Sequence, residues 1–183
     1  EALVAGLARR VTPYAWGFSE LEIDEEALKV GKFAVKSCAG LTQDGTVFRV
    51  PQAEDHPPSL EVPENIKDCV VVLTIPQRRQ GATEVDLTDS GNSVSRLKPA
   101  EIEITDVMGT VKKGTTIGVG KLRLQFALAV DDLADMLVIP IARIIEVRPD
   151  KEILLDRAFI PSCVDIRAAP TLAGFVSELE GLL

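Results

Sequence analysis

One histidine, three cysteines and two short clusters of acids are the residues with which this chain could do chemistry. His56 precedes Pro57-Pro58 in a proline-rich stretch. A catalytic base needs a nucleophile to serve and a third group to orient it, and nothing local offers either. Gly91-Asn92-Ser93-Val94-Ser95 approaches the nucleophile elbow but ends on Ser95 where that turn requires glycine. Gly114-Thr115-Thr116-Ile117-Gly118-Val119-Gly120-Lys121 looks at first like a phosphate loop. Thr115 stands where the opening glycine belongs, however, and Leu122 replaces the Ser or Thr that would hold Mg²⁺. A phosphate loop must also open a helix, whereas the residues after Lys121 alternate as a strand. The glycine-rich stretch is therefore expected to be a loop leading into a strand at Leu122.

Glu20, Glu22, Asp24, Glu25 and Glu26 place five acids in seven residues, and on a strand the first three share one face. Such a face could hold a hard cation, but the spacing is not that of a calcium loop. Because Leu21 and Ile23 alternate with the acids, the simpler expectation is a charged face in solvent or against a basic partner. Asp131, Asp132 and Asp135 suit a short connection between strands. Cys38, Cys69 and Cys163 are odd in number and far apart, matching neither a disulfide framework nor zinc spacing. They are expected to be free thiols filling a core. Arg78 and Arg79 are exposed-loop cations that could meet an acidic partner. No cofactor, metal or catalytic set emerges.

The elements that would position any site are chiefly strands. With one Trp, one Tyr and six Phe, a core must come from Val, Ile and Leu, which suit β structure. Ile102 and Ile104 alternate with Glu101 and Glu103, and Leu122, Leu124, Phe126 and Leu128 alternate with Lys121, Arg123, Gln125 and Ala127. Further strands are expected at 17–23, 32–39, 46–50, 69–75, 136–147 and 152–155, with turns at Asp44-Gly45 and Pro149-Asp150. Pro140 lacks an amide hydrogen and predicts an edge or a bulge. Asp24 to Leu28 suits one helical turn. Pro51 to Pro63 and Gln77 to Ser95 read as long surface loops of the kind that often meet partners.

Both ends read as helical. Leu3, Val4, Leu7 and Val11 have helical spacing, as do Leu172, Phe175, Val176, Leu179, Leu182 and Leu183 after Pro170. Neither helix has a proper outer cap in this reading, so both ends are expected to be cuts in a longer chain. The net charge of -8 argues against nucleic acid and anionic lipid as partners. No apolar run is long enough to span a bilayer, so direct membrane insertion is not expected. The cysteine pattern suits a reducing, cytoplasmic setting.

The only Tyr and the only Trp fall within Pro13-Tyr14-Ala15-Trp16-Gly17-Phe18-Ser19-Glu20-Leu21-Glu22-Ile23-Asp24. That segment resembles the TssK family, baseplate subunits of bacterial type VI secretion systems. So do Phe159-Ile160-Pro161-Ser162-Cys163, Ala168-Ala169-Pro170-Thr171-Leu172-Ala173-Gly174-Phe175 and Val138-Ile139-Pro140-Ile141-Ala142-Arg143-Ile144. The resemblance implies a mainly β fold, a β-sandwich-like shoulder domain with helical N- and C-terminal segments. Its divisions would be residues 1–12, the end of a truncated helix; 13–168, the shoulder; and 169–183, the start of a helix toward an absent helical middle region. A family segment carrying Pro-Gln-His-Phe-Gln does not occur in this chain.

What the resemblance further implies is a homotrimeric, non-enzymatic adaptor on the cytoplasmic face of a Gram-negative inner membrane. Its shoulder would join the wedge proteins TssF and TssG, and an absent head would reach the membrane proteins TssL and TssM. Under that reading Tyr14, Trp16, Phe18, Arg78, Arg79, Leu172, Phe175 and Leu179 are candidate contact residues, the last three on a trimer seam. The simpler expectation for Tyr14 and Trp16, at a helix-to-strand junction, is that they lock the N-terminal helix onto the sandwich. The alternative from another class is an enzyme or small-molecule carrier with a carboxylate-lined pocket on a β scaffold.

Overall fold

The computed structural model describes residues 14–79, 81, 84–85, 95–105 and 114–182. The expected helix at Glu1 to Arg10 and most of the loop from Gln77 to Ser95 lie outside the described residues. Strand β1 (Gly17–Ile23) is followed by a short helix α1 (Glu25–Lys29), then β2 (Lys32–Phe33), β3 (Val35–Leu41), β4 (Val47–Val50), β5 (Leu60–Glu61) and β6 (Lys67–Pro76). Next come β7 (Leu97–Thr105), β8 (Gly114–Leu122), β9 (Gln125–Leu128), β10 (Met136–Val147) and β11 (Ile153–Leu155). A 3₁₀ turn at Ile166–Ala168 leads into helix α2 (Pro170–Glu180).

Two principal sheets have the orders β1-β3-β4 and β11-β10-β6-β9, with antiparallel pairing throughout. Both contribute to one buried cluster, which includes Phe18, Cys38, Phe48 and Val50 from the first and Val71, Leu73, Ile75, Phe126, Ile139, Ile141 and Ile144 from the second. This is the expected mainly β, sandwich-like fold. Phe18 meets Phe48 edge-on at 5.8 Å within the first sheet, and Phe33 meets Phe126 at 5.3 Å, tying the small β2-β5 pair to β9. Edge-on rings gain from quadrupole attraction beyond their burial.

Local chemistry explains most of the boundaries. Asp24 caps α1 by accepting from the amides of Glu26 and Ala27. The turn at Asp44-Gly45 places Gly45 at φ 88° while Thr42 and Thr46 close the hairpin. Pro140 pairs opposite Val72, and a bulge follows before Ala142. β11 pairs only with Ile144 to Val147, so Pro140 lies where β10 has a single neighbour.

Four expectations need correction. The span 32–39 is broken at Ala34 into β2 and β3. The loop 51–63 contains β5, which pairs with β2. The glycine-rich stretch from Gly114 is itself strand β8, and the strand expected to run on from Leu122 breaks at Arg123-Leu124 as the chain passes to β9 in another sheet. The apolar alternation of the sequence continues through Leu122, Leu124, Phe126 and Leu128, which is why no break shows in the pattern. All four are buried, although Arg123 between them is buried too. Finally, α2 does not run out through two leucines. It stops at Glu180, with the Gly181 amide bonded to the Ser177 carbonyl.

Candidate functional site

Most of the carboxylates that could have made a chemical site are held as structural groups. Along β1, Glu20 pairs with Arg49 at 3.7 Å and Glu22 with Lys36 at 3.5 Å, so the acidic face is met by basic residues on the same sheet. Asp131 accepts from the Leu128 amide at 2.8 Å and Asp132 from the Ala134 amide at 3.0 Å, while Asp135, at φ 66°, pairs with Arg79. A cleft of about 590 Å³ between β1, β11 and the start of α2 is lined by Glu22, Glu25, Glu152 and Asp156, among others. Glu152 pairs with Arg148 and Asp156 with Arg143. His56 bonds through Nε2 to the Lys36 carbonyl at 3.0 Å. Among the described residues no group of three His, Cys, Asp or Glu could hold a metal ion.

The thiols divide into two kinds. Cys38 and Cys69 are buried, as expected, and burial pushes the Cys38 pKa up to about 12. Cys163 is only half-buried, which corrects the expectation of three core thiols. Burial and then Asp165 raise its pKa as well. Because only a thiolate attacks, Cys163 should be the one that a disulfide reagent labels in the native protein at pH 8, with the other two appearing on unfolding. Stoichiometric labelling with mass mapping checks this, and rapid labelling of Cys38 would contradict the burial.

The features that remain are surfaces. Of the candidate contact residues, Tyr14 is exposed and Trp16 is half-buried against the core. Phe18 is fully enclosed beside Phe48, which removes it from any contact surface. Arg78 pairs with Glu84 at 3.1 Å, so this cation and Arg79 each have an acid of their own chain. Leu172 is half-buried, but Phe175 is 58% and Leu182 83% exposed, with Leu179 between them also exposed. Helix α2 thus presents an apolar stripe to solvent. Its base is fixed to β1, because Phe18 donates to the Ser162 carbonyl and receives the Val164 amide, both at 2.8 Å.

A second surface was not visible in the sequence. β7 and β8 pair with each other over nine residues each and join neither principal sheet. Directly opposed residues share a face, so Ile102 with Ile117 and Ala100 with Val119 line one side together with Ile104. Ile102, Ile104 and Ile117 are 38, 46 and 38% exposed. The opposite side carries Glu101 across from Gly118 and Glu103 across from Thr116. The signal that could have found this ribbon is the match between Ile102-Glu103-Ile104 and the period-two Ile117-Gly118-Val119. The glycines disguised it as a loop.

The ribbon is anchored at its root. Asp55 receives Lys98 at 2.9 Å and also Lys121, and these two bonds hold its carboxyl below the usual range. Its neighbour Glu54 accepts the Leu122 amide at 2.7 Å, and burial raises its pKa. Beneath them two arginines are buried. Arg96 reaches the Pro76 carbonyl, Thr46 and Asp44, while Arg123 donates to the Ser95 carbonyl and its amide bonds to Arg96.

Comparison with known proteins adds the context these surfaces lack. The family described as bacterial type VI secretion (EvfL, ImpJ, VasE) matches residues 1–183. The chain is 34% identical over 185 residues to the type VI secretion system baseplate component TssK1 of Pseudomonas aeruginosa, covering all of this chain and 41% of that protein. The chain therefore spans about two-fifths of this relative. A crystal structure of TssK superposes with a TM-score of 0.88 at 30% identity, covering 98% of this chain and 41% of the other. A chain from a TssK-TssF-TssG baseplate subcomplex shares the fold at a TM-score of 0.85 and 21% identity, covering 97% of this chain and 59% of its own.

Proposed function

The chain belongs to the family of bacterial type VI secretion proteins that contains VasE and TssK, and from that premise we propose that it is the wedge-facing shoulder of a baseplate subunit. The single observation that carries this reading is the match along the whole chain to a protein named as a baseplate component. The role is structural. Rigid, non-catalytic presentation of surface suits a sandwich in which Glu20, Glu22, Asp24, Glu152 and Asp156 are tied into ion pairs and a helix cap.

Its partners would be TssF and TssG, the proteins named beside TssK in the subcomplex of the same fold. The open stripe of α2 is the self-contact, one strand of a trimer seam continued by the rest of the subunit. Apolar residues at steps of three and four, exposed on one chain, are what such a seam requires. Contact with TssL and TssM would run through other parts of the subunit, and its place would be the cytoplasmic side. No described helix is long and apolar enough to cross a membrane.

The test is co-expression of the full-length subunit with TssF and TssG, followed by affinity capture and light scattering. Retention of both proteins by a trimer is expected. A subunit that captures neither overturns the wedge assignment, and a strict monomer overturns the seam.

A further inference from the structure

With the cleft and the thiols accounted for within the chain and the α2 stripe assigned to the self-contact, the β7-β8 ribbon is left with features that nothing above explains. An isolated two-stranded ribbon is marginal in water and needs a third layer on its apolar face. Here that face is left to solvent, with three isoleucines on it. The other face poses a second problem. Glycine weakens a strand interior, and it is kept there where a bulge, a bend or a close backbone approach requires it. Gly118 has no left-handed φ, its pairing with Glu101 is in register, and a Cβ built on it would meet nothing within 4 Å. Nothing within the described chain asks for glycine at that position.

We propose that the β7-β8 ribbon is an arm that inserts into a groove of the wedge, with the isoleucine face against an apolar wall and the Gly118 face against a partner backbone. This deepens the reading above and rests on it. The dimensions favour a groove over a second copy of the ribbon. Nine residues at about 3.4 Å each and a width of about 10 Å give a face of about 300 Å². A specific complex buries about 800 Å² per partner, so two ribbons face to face fall well short, whereas clasping both faces and the open edges approaches it. Charge narrows the partner further. Glu101 and Glu103 are exposed on the glycine side and form no ion pair with a described residue, in a chain of net charge -8, so the groove should carry lysine or arginine on that wall. The anchoring of Lys98 and Lys121 by Asp55 holds the root rigid and lowers the ordering cost of insertion.

The experiment uses the full-length subunit co-expressed with TssF and TssG. Ile102→Ser with Ile117→Ser removes the apolar anchor, and Gly118→Val fills the close approach while improving the strand's own propensity. Each variant should keep the wild-type melting temperature within a few degrees and the wild-type trimer, yet bind the wedge at least tenfold more weakly. Wild-type binding by both variants overturns the arm while leaving the shoulder assignment intact. If the wild type itself captures no wedge, both readings fall together. Loss of the trimer in the Ile variant would make a second copy the occupant and also overturn the proposal.

Discussion

Replacing Gly17 by alanine should destabilise the protein by about 3 kcal/mol, because neither the backbone conformation nor the space there admits a methyl group. Gly17 sits at φ 125°, a conformation L side chains rarely adopt. An added Cβ would lie 2.4 Å from the Ser162 carbonyl oxygen and 2.7 Å from the Cys163 amide nitrogen. Those are backbone atoms, so no side chain can swing aside. Relief requires the 162–165 segment to leave β1, which breaks the paired bonds between Phe18, Ser162 and Val164 that seat α2. Urea unfolding measures the loss. Gly118→Ala is the internal control, since it meets open space and should change stability by less than about 1 kcal/mol. Equal effects at the two positions would mean that the close crossing at Gly17 is not what holds the segment.

How far the sequence reaches can be judged from particular strands. The spans 17–23 and 136–147 were predicted at the boundaries found, because each alternates against a local core face and is closed by a turn with its own chemistry. β8 was lost because glycine, which punctuates loops, also occurs in strands that something must approach. β2 and β5 were lost because two-residue strands have no period to read. Tyr14, Trp16 and their neighbours pointed to the family, yet gave no sign that Phe18 would be buried. Nor could composition show two arginines under the ribbon, since their partners are up to 52 residues away, as Arg96 is from Asp44.

That arginine carries the second large effect. Arg96 is 3% exposed and donates to the Pro76 carbonyl at 2.7 Å and to Thr46 Oγ1 at 2.6 Å, with Asp44 at 2.8 Å. It thus joins the β3-β4 turn, the end of β6 and the foot of the ribbon. Arg96→Met keeps much of the volume but strands a carbonyl and a partly buried carboxylate. Breaking such a pair from one side should cost about 3 kcal/mol, roughly 6–12 °C in melting temperature for a chain of this size. The pH dependence gives an independent reading. Burial alone would raise the Asp44 pKa, but hydrogen bonds from Thr42 and Thr46 together with Arg96 outweigh it, and the carboxyl ends below its ordinary value. A carboxyl depressed in the folded state stabilises fully above its unfolded pKa of about 4, and that stabilisation is lost as pH falls through the folded value. The wild type should therefore lose stability in that acid range, and Arg96→Met should lose less of it because part of the depression is already gone. Parallel pH profiles for the two proteins would show that Arg96 does not act through Asp44. Because the same side chain braces the ribbon, the variant should also bind the wedge more weakly at temperatures where it remains folded, if the ribbon is the arm proposed above.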